Sequence, residues 1–166
     1  RRARQSQRDF RVTGHDAEVQ DLYRELILDH SRNPRHFGKL ENATHTADGI
    51  NPLCGDKLRV YVCVGAEGCI ESTCFEGSGC AISVASASLM TGTVTGLHVD
   101  KAEACCKAVT SRLTNGDKSA PAGIDLDKLR ALDGVRHYPS RVKCATLAWH
   151  ALHAALNNET APASTE

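Results

Sequence analysis

Apolar and polar positions alternate most cleanly in Lys57–Val64. Leu58, Val60, Val62 and Val64 fall on one face and Arg59, Tyr61 and Cys63 on the other, the period of a half-buried strand. Gly65-Ala66-Glu67-Gly68 then reads as a hairpin turn into a second strand, roughly Cys69 to Glu76, and residues 43–50 supply a third. Upstream, Asp16 is placed to cap a helix in which Val19, Leu22, Tyr23, Leu26, Ile27 and His30 recur at helical spacing; Asn33-Pro34 ends it. After the small-residue turn Gly77-Ser78-Gly79 the pattern becomes helical from Cys80 to about Thr91. Further helices fit residues 99–114, bounded by Asn115-Gly116, and residues 125–132. A last one starts near Pro139 or Ser140 and continues to about Asn157, with Leu147, Ala148, Ala151, Leu152 and Ala155 on its apolar face.

Strands early and helices late predict an α+β domain, a small antiparallel three-stranded sheet with helices packed on one face. Residues 1–15 lack apolar periodicity and are expected to form a disordered basic arm, because they offer nothing to offset the entropy of ordering. The polar residues 159–166 are expected to be a disordered tail, which leaves residues 16–158 as the domain. No internal repeat is visible.

Composition narrows the function. With 166 residues, 41% of them apolar, the chain suits one domain with one modest core. The 20 basic residues balance the 20 acidic ones. Five arginines against Asp9 stand in residues 1–15, so the folded part is mildly acidic and unsuited to nucleic acid. Residues 77–97 carry no charge, but seven serines and threonines and four glycines interrupt them, and no membrane span is expected.

Eight cysteines are the strongest compositional signal. A disulfide framework would suit a secreted protein, and a cleaved signal would leave no trace. The Arg-rich start without an apolar stretch favours the other reading, a cytoplasmic protein whose thiols serve metal or sulfur chemistry.

Three cysteines stand out by placement. Cys54 lies in Asn51-Pro52-Leu53-Cys54-Gly55-Asp56, where Pro sets a turn and Gly permits a bend that brings a thiolate and a carboxylate toward one point. Cys80 stands at a helix start and Cys144 in the first turns of the last helix, where unpaired N–H groups and the helix dipole favour thiolate. Together with Asp56 they would give a Cys3Asp set suited to tetrahedral Zn²⁺. Its formal charge of −2 would welcome a cation, and Arg141 and Lys143 flank Cys144. Spacing alone is weak support, since 25 residues separate Cys54 from Cys80 and 63 separate Cys80 from Cys144. Cys63, Cys69, Cys74, Cys105 and Cys106 read as small core residues, and His30, His150 and His153 as solvated or core-edge positions. There is neither a zinc-protease His pair nor a P-loop.

Five segments carry a resemblance: Leu22-Tyr23-Arg24 through Asp29-His30; Asn33-Pro34-Arg35; Asn51 to Asp56; Phe75-Glu76-Gly77-Ser78-Gly79-Cys80-Ala81-Ile82-Ser83; and Arg141-Val142-Lys143-Cys144-Ala145-Thr146-Leu147. Over roughly residues 18–157 the chain resembles the SufU/IscU family of iron–sulfur cluster assembly proteins, similar to the NifU N-terminal domain. It leans toward the SufU branch, because residues 97–122 form an extended segment and Lys143 stands where the scaffold branch has His. The resemblance implies a zinc-dependent sulfurtransferase with metal held by Cys54, Asp56, Cys80 and Cys144. Cys54 would accept sulfur from a PLP-dependent cysteine desulfurase, one of whose histidines displaces it from zinc, and pass it to downstream scaffold proteins. A monomer in transient complex with a desulfurase dimer is implied. The alternative is a scaffold that holds a [2Fe–2S] or [4Fe–4S] cluster through the same cysteines.

Overall fold

The computed structural model describes residues 14–165, so most of the expected basic arm lies outside the described residues. Its last two positions, Gly14 and His15, already belong to α1 (Gly14–Arg32), so Asp16 sits inside the first turn rather than before it. There follow β1 (His45–Asn51), β2 (Asp56–Val64), β3 (Ile70–Ser78), α2 (Ala81–Val94), α3 (Val99–Asn115), a 3₁₀ helix (Asp127–His137), α4 (Pro139–Leu156) and β4 (Ala163–Ser164).

The sheet has four strands in the order β3-β2-β1-β4 rather than the expected three. β1 pairs antiparallel with β2 from His45↔Val62 to Asn51↔Asp56, and β2 pairs antiparallel with β3. The fourth strand comes from the tail expected to be disordered. Ala163 and Ser164 run parallel to Gly49 and Ile50, and the Thr165 N–H reaches the Ile50 carbonyl at 3.3 Å. Main-chain groups along the free edge of β1 supply this pairing, so no apolar alternation in the tail announces it.

The segment expected as a short helix over 125–132 is an 11-residue 3₁₀ helix. Leu126, Leu129, Leu132 and Val135 are all buried and recur every third residue. That period matches three residues per turn and not 3.6, so a 3₁₀ winding keeps one stripe facing the core.

α4 packs across β1 and β2, with α2 and α3 against it. Its buried positions extend beyond the expected face to Cys144, Ala145, Thr146, Trp149 and Ala154. Gly49 lets it come close, because a β-carbon there would lie 3.1 Å from that of Ala151 and 3.2 Å from Leu147. Trp149 ties the two central helices together: its indole N–H donates to Ser86 Oγ at 3.1 Å, and the Ser86 hydroxyl donates to the Ala145 carbonyl at 2.5 Å. Full burial of a large apolar side chain contributes about 1.5–3 kcal/mol, so this helix pair holds its register against the sheet. The N-terminal ends of α2 and α4 thereby come to the β1–β2 loop.

Candidate metal centre

Asn51 closes β1 and Asp56 opens β2 directly opposite it, so Pro52 to Gly55 make a four-residue connection. The Gly55 N–H donates to the Asn51 carbonyl at 2.9 Å, and Gly55 takes the left-handed φ of +72° that such a reversal needs. Cys54 therefore sits exposed at the tip, beside Leu53, which is 69% exposed. Strand alternation turns Asp56 inward with Leu58 and Val60, leaving it 1% exposed.

Cys80 is the N-cap of α2, with extended backbone, and its sulfur accepts the Ser83 N–H at 3.5 Å. Cys144 lies in the second turn of α4 and is 2% exposed. Its Sγ is 3.6 Å from that of Cys54, and one ligand atom from each of Cys54, Asp56 and Cys144 lies within 4.8 Å of the others. Cys80 is exposed, and its Sγ falls outside that group of three; it joins the trio through its backbone and through Ser83. Its N–H donates to Asp56 Oδ1 at 2.9 Å, while the Ser83 hydroxyl donates to Asp56 Oδ2 at 2.7 Å.

Two polar residues that motif reading treated only as turn and helix positions complete the cluster. Ser83 is fully buried and also lies 3.3 Å from the Cys144 carbonyl. Asn51 is fully buried, with Nδ2 3.5 Å from both Asp56 Oδ2 and Cys144 Sγ, and its Oδ1 has no partner. Its place at the end of a strand, just before Pro52, is the only trace in the sequence, and its burial shows only in the fold.

The donor set fits a soft divalent cation. Among the described residues no ion pair reaches Asp56, although it is buried. An unpaired buried carboxylate is costly unless a cation or a metal answers it. Burial first, and then Asp56, Cys80 and Cys54 around it, push the Cys144 thiol well above the ordinary cysteine range. A coordinated metal reverses that tendency by taking the thiolate.

Arg141 is exposed and lies over the Tyr138 ring, 4.8 Å from its centre. Lys143 is half-buried and borders a separate cleft with Leu113, His150 and Thr165. Cys105 and Cys106 are buried in the core, Cys63 is buried near Asn42 and Glu71, and Cys74 is half-buried. Cys69 departs from the core expectation: β3 begins one residue later, which leaves Cys69 exposed in the turn. Of the two readings offered for His30, solvated or core-edge, the structure shows the second: it is buried, with Nδ1 2.7 Å from Ser88 Oγ between α1 and α2.

Residues 22–145, which span Cys54, Asp56, Cys80 and Cys144, match the NifU-like N-terminal domain. The chain belongs to this family. This NifU-like domain is 40% identical over 144 residues to the zinc-dependent sulfurtransferase SufU of Bacillus subtilis (strain 168), covering 87% of this chain and 95% of that one. It is 37% identical over 140 residues to the iron–sulfur cluster assembly scaffold protein IscU of Streptococcus pyogenes serotype M1, covering 84% and 86%. Among solved structures, a putative scaffold protein for the SUF system from Fervidobacterium islandicum AW-1 superposes with a TM-score of 0.71 at 33% identity, over 80% of this chain and 94% of that one. A NifU-like protein (N-terminal) from Brucella abortus gives 0.73 at 26% identity, over 85% and 96%. The NifU-like fold is thus an α+β one, and among the described residues no helix is long and apolar enough to cross a membrane.

Proposed function

We propose that this chain is a zinc-dependent sulfur carrier of iron–sulfur cluster assembly, with Cys54 as the acceptor. One observation carries the reading: the exposed thiol of Cys54, on a hairpin tip, stands 3.6 Å from the buried thiol of Cys144 beside the buried Asp56 carboxylate. Zinc held by Cys54, Asp56, Cys80 and Cys144 would keep these sulfurs as thiolates at neutral pH and offset much of their charge.

The chain's own residues divide the work. Cys54 is placed to meet a partner, and exposed Leu53 offers apolar contact beside it. The Cys54 thiolate attacks the outer sulfur of a persulfide on a PLP-dependent cysteine desulfurase. A new S–S bond forms at Cys54 as the old one breaks, and the desulfurase thiolate leaves with the electron pair, so no net oxidation occurs. Asp56, Cys80 and Cys144 stay anchored in β2, α2 and α4 while the loop moves. Shielding by the partner protects the product, since persulfides oxidise readily. The reduced cytoplasm suits this chemistry, and delivery would be to a downstream scaffold protein.

The test is to incubate the zinc-loaded protein with a cysteine desulfurase and cysteine and to follow added sulfur by mass spectrometry. About one zinc per chain, negligible iron and a one-sulfur mass gain lost in Cys54→Ala are expected. Sulfur still accepted by Cys54→Ala removes the acceptor role. Purification with iron–sulfur absorbance and no zinc favours the scaffold alternative, in which the same residues ligate a cluster.

A further inference from the structure

A second constellation lies along α2, where it faces α1 and the 3₁₀ helix, around a cleft of about 390 Å³. His30, Arg35, His36, Asp125 and Lys128 form its polar side, with Ser88 and Thr93 between them. Leu89, Leu97, Ile124 and Leu129 form an apolar wall.

The hydrogen bonds assign the two rings opposite tautomers. Ser88 Oγ accepts the Arg35 N–H at 2.8 Å, has no other acceptor for its proton among the described residues, and stands 2.7 Å from His30 Nδ1, so that proton is directed at the ring nitrogen. Neutral His30 then carries its proton on Nε2. Thr91 Oγ1 spends its proton on the Ser88 carbonyl at 2.8 Å and lies 3.0 Å from His36 Nδ1. The His36 proton is therefore on Nδ1, which leaves Nε2 as an acceptor. His36 is held in place by its left-handed φ of 56° and by the Phe75 N–H, which donates to its carbonyl at 3.1 Å.

Among the lining residues two cations, Arg35 and Lys128, face one carboxylate, Asp125, which keeps its charge. Arg35 binds Asp29 at 2.6 Å, and Asp125 accepts the Asp127 N–H at 2.8 Å. Lys128 forms no ion pair among the described residues. Burial, then the charges of Arg35 and Lys128, hold His30 below its usual value, with Asp29 opposing. Both cations thus act on the same ring.

We propose that this cleft binds a small organic phosphate monoester. The His30 Nε2–H and the Lys128 ammonium take its charged oxygens, His36 Nε2 accepts the P–OH of the monoanion, and the leucine wall packs on the apolar body. An acceptor at His36 Nε2 beside two donors suits a phosphate monoanion, which keeps a P–OH proton, better than a carboxylate, which has none to give. Ser88 lies eight residues beyond Cys80, about 12 Å along the helix, so this site does not depend on sulfur transfer at Cys54.

Phenyl phosphate, titrated into the zinc-loaded chain and followed by NMR of histidine rings and backbone amides, tests this. Saturable shifts at His30 and Gly92 are expected, together with a rise in the His30 pKa as the anion offsets its two cationic neighbours. Lys128 is exposed, so Lys128→Glu should fold normally and weaken binding about tenfold or more. Benzoate should bind more weakly, and so should inorganic phosphate. Phosphatidic acid vesicles that compete with phenyl phosphate would trace the ester to a lipid headgroup, and vesicles that fail to compete would trace it to a soluble metabolite. Absence of saturable shifts, equal binding by Lys128→Glu, or benzoate binding as tight as phenyl phosphate overturns the proposal.

Discussion

Removal of one hydroxyl should loosen the metal without touching a metal ligand. Ser83 Oγ has a single proton, and three acceptors compete for it: Asp56 Oδ2 at 2.7 Å, the Cys144 carbonyl at 3.3 Å and Cys80 Sγ at 3.6 Å. The carboxylate is nearest and charged, so it takes the proton. Ser83→Ala leaves Asp56, among the described residues, with the Cys80 N–H at 2.9 Å, a long contact to Asn51 and the neighbouring Cys144 thiol. A hydrogen bond to a charged group contributes about 1.5–3 kcal/mol. If all of it is lost from the metal-bound state, zinc affinity falls about 10- to 150-fold, which overlaps the 10- to 100-fold typical of groups that orient metal ligands. Competition with a colorimetric chelator reads this out, and circular dichroism melting of zinc-free protein separates it from misfolding. Ser83→Thr keeps the hydroxyl and should recover most of the affinity. Ser83→Ala protein that holds zinc within twofold of the parent would refute the claim that Ser83 orients Asp56.

Two further outcomes follow from the fold and its titrating groups. Gly77→Ala should destabilise the protein by about 2–5 kcal/mol, because Gly77 has φ +134° and a β-carbon would fall on the Lys57 carbonyl and 2.9 Å from Leu58 Cα; denaturant melts with an unchanged midpoint would contradict this. His30 is held below its reference value of 6.5 by burial and then by Arg35 and Lys128. The unfolded chain therefore binds the proton more readily. Stability is complete above pH 6.5 and falls as pH drops from there through the folded value. His30→Gln should flatten the loss of melting temperature between about pH 7.5 and pH 5.5. The flattening is partial, because half-buried His150 is lowered in the same direction, by burial first.

What the sequence made legible was whatever a local pattern encodes. The alternation of Leu58, Val60 and Val62 located β2, and the stripe through Leu147, Ala151 and Leu152 located α4, because each period belongs to one element and needs no partner. The fourth strand left no such trace, since Ala163 and Ser164 pair through backbone atoms that every residue carries. The 3₁₀ helix left a trace of the wrong period: Leu126, Leu129, Leu132 and Val135 repeat in threes, which is visible only when three is among the templates tried. The cluster illustrates the deeper limit. Motifs singled out Cys54, Asp56, Cys80 and Cys144, but nothing in their spacing brings position 54 to position 144. That meeting depends on Asn51 facing Asp56 across the hairpin, on the small Gly49 admitting Ala151, and on the Trp149–Ser86–Ala145 chain fixing α4 against α2. Ser83 and Asn51 acquire their roles only once those three contacts exist. A hydroxyl and an amide are ordinary on a chain and informative when buried beside a carboxylate, so the residues that tune such a site are the last to show in the sequence.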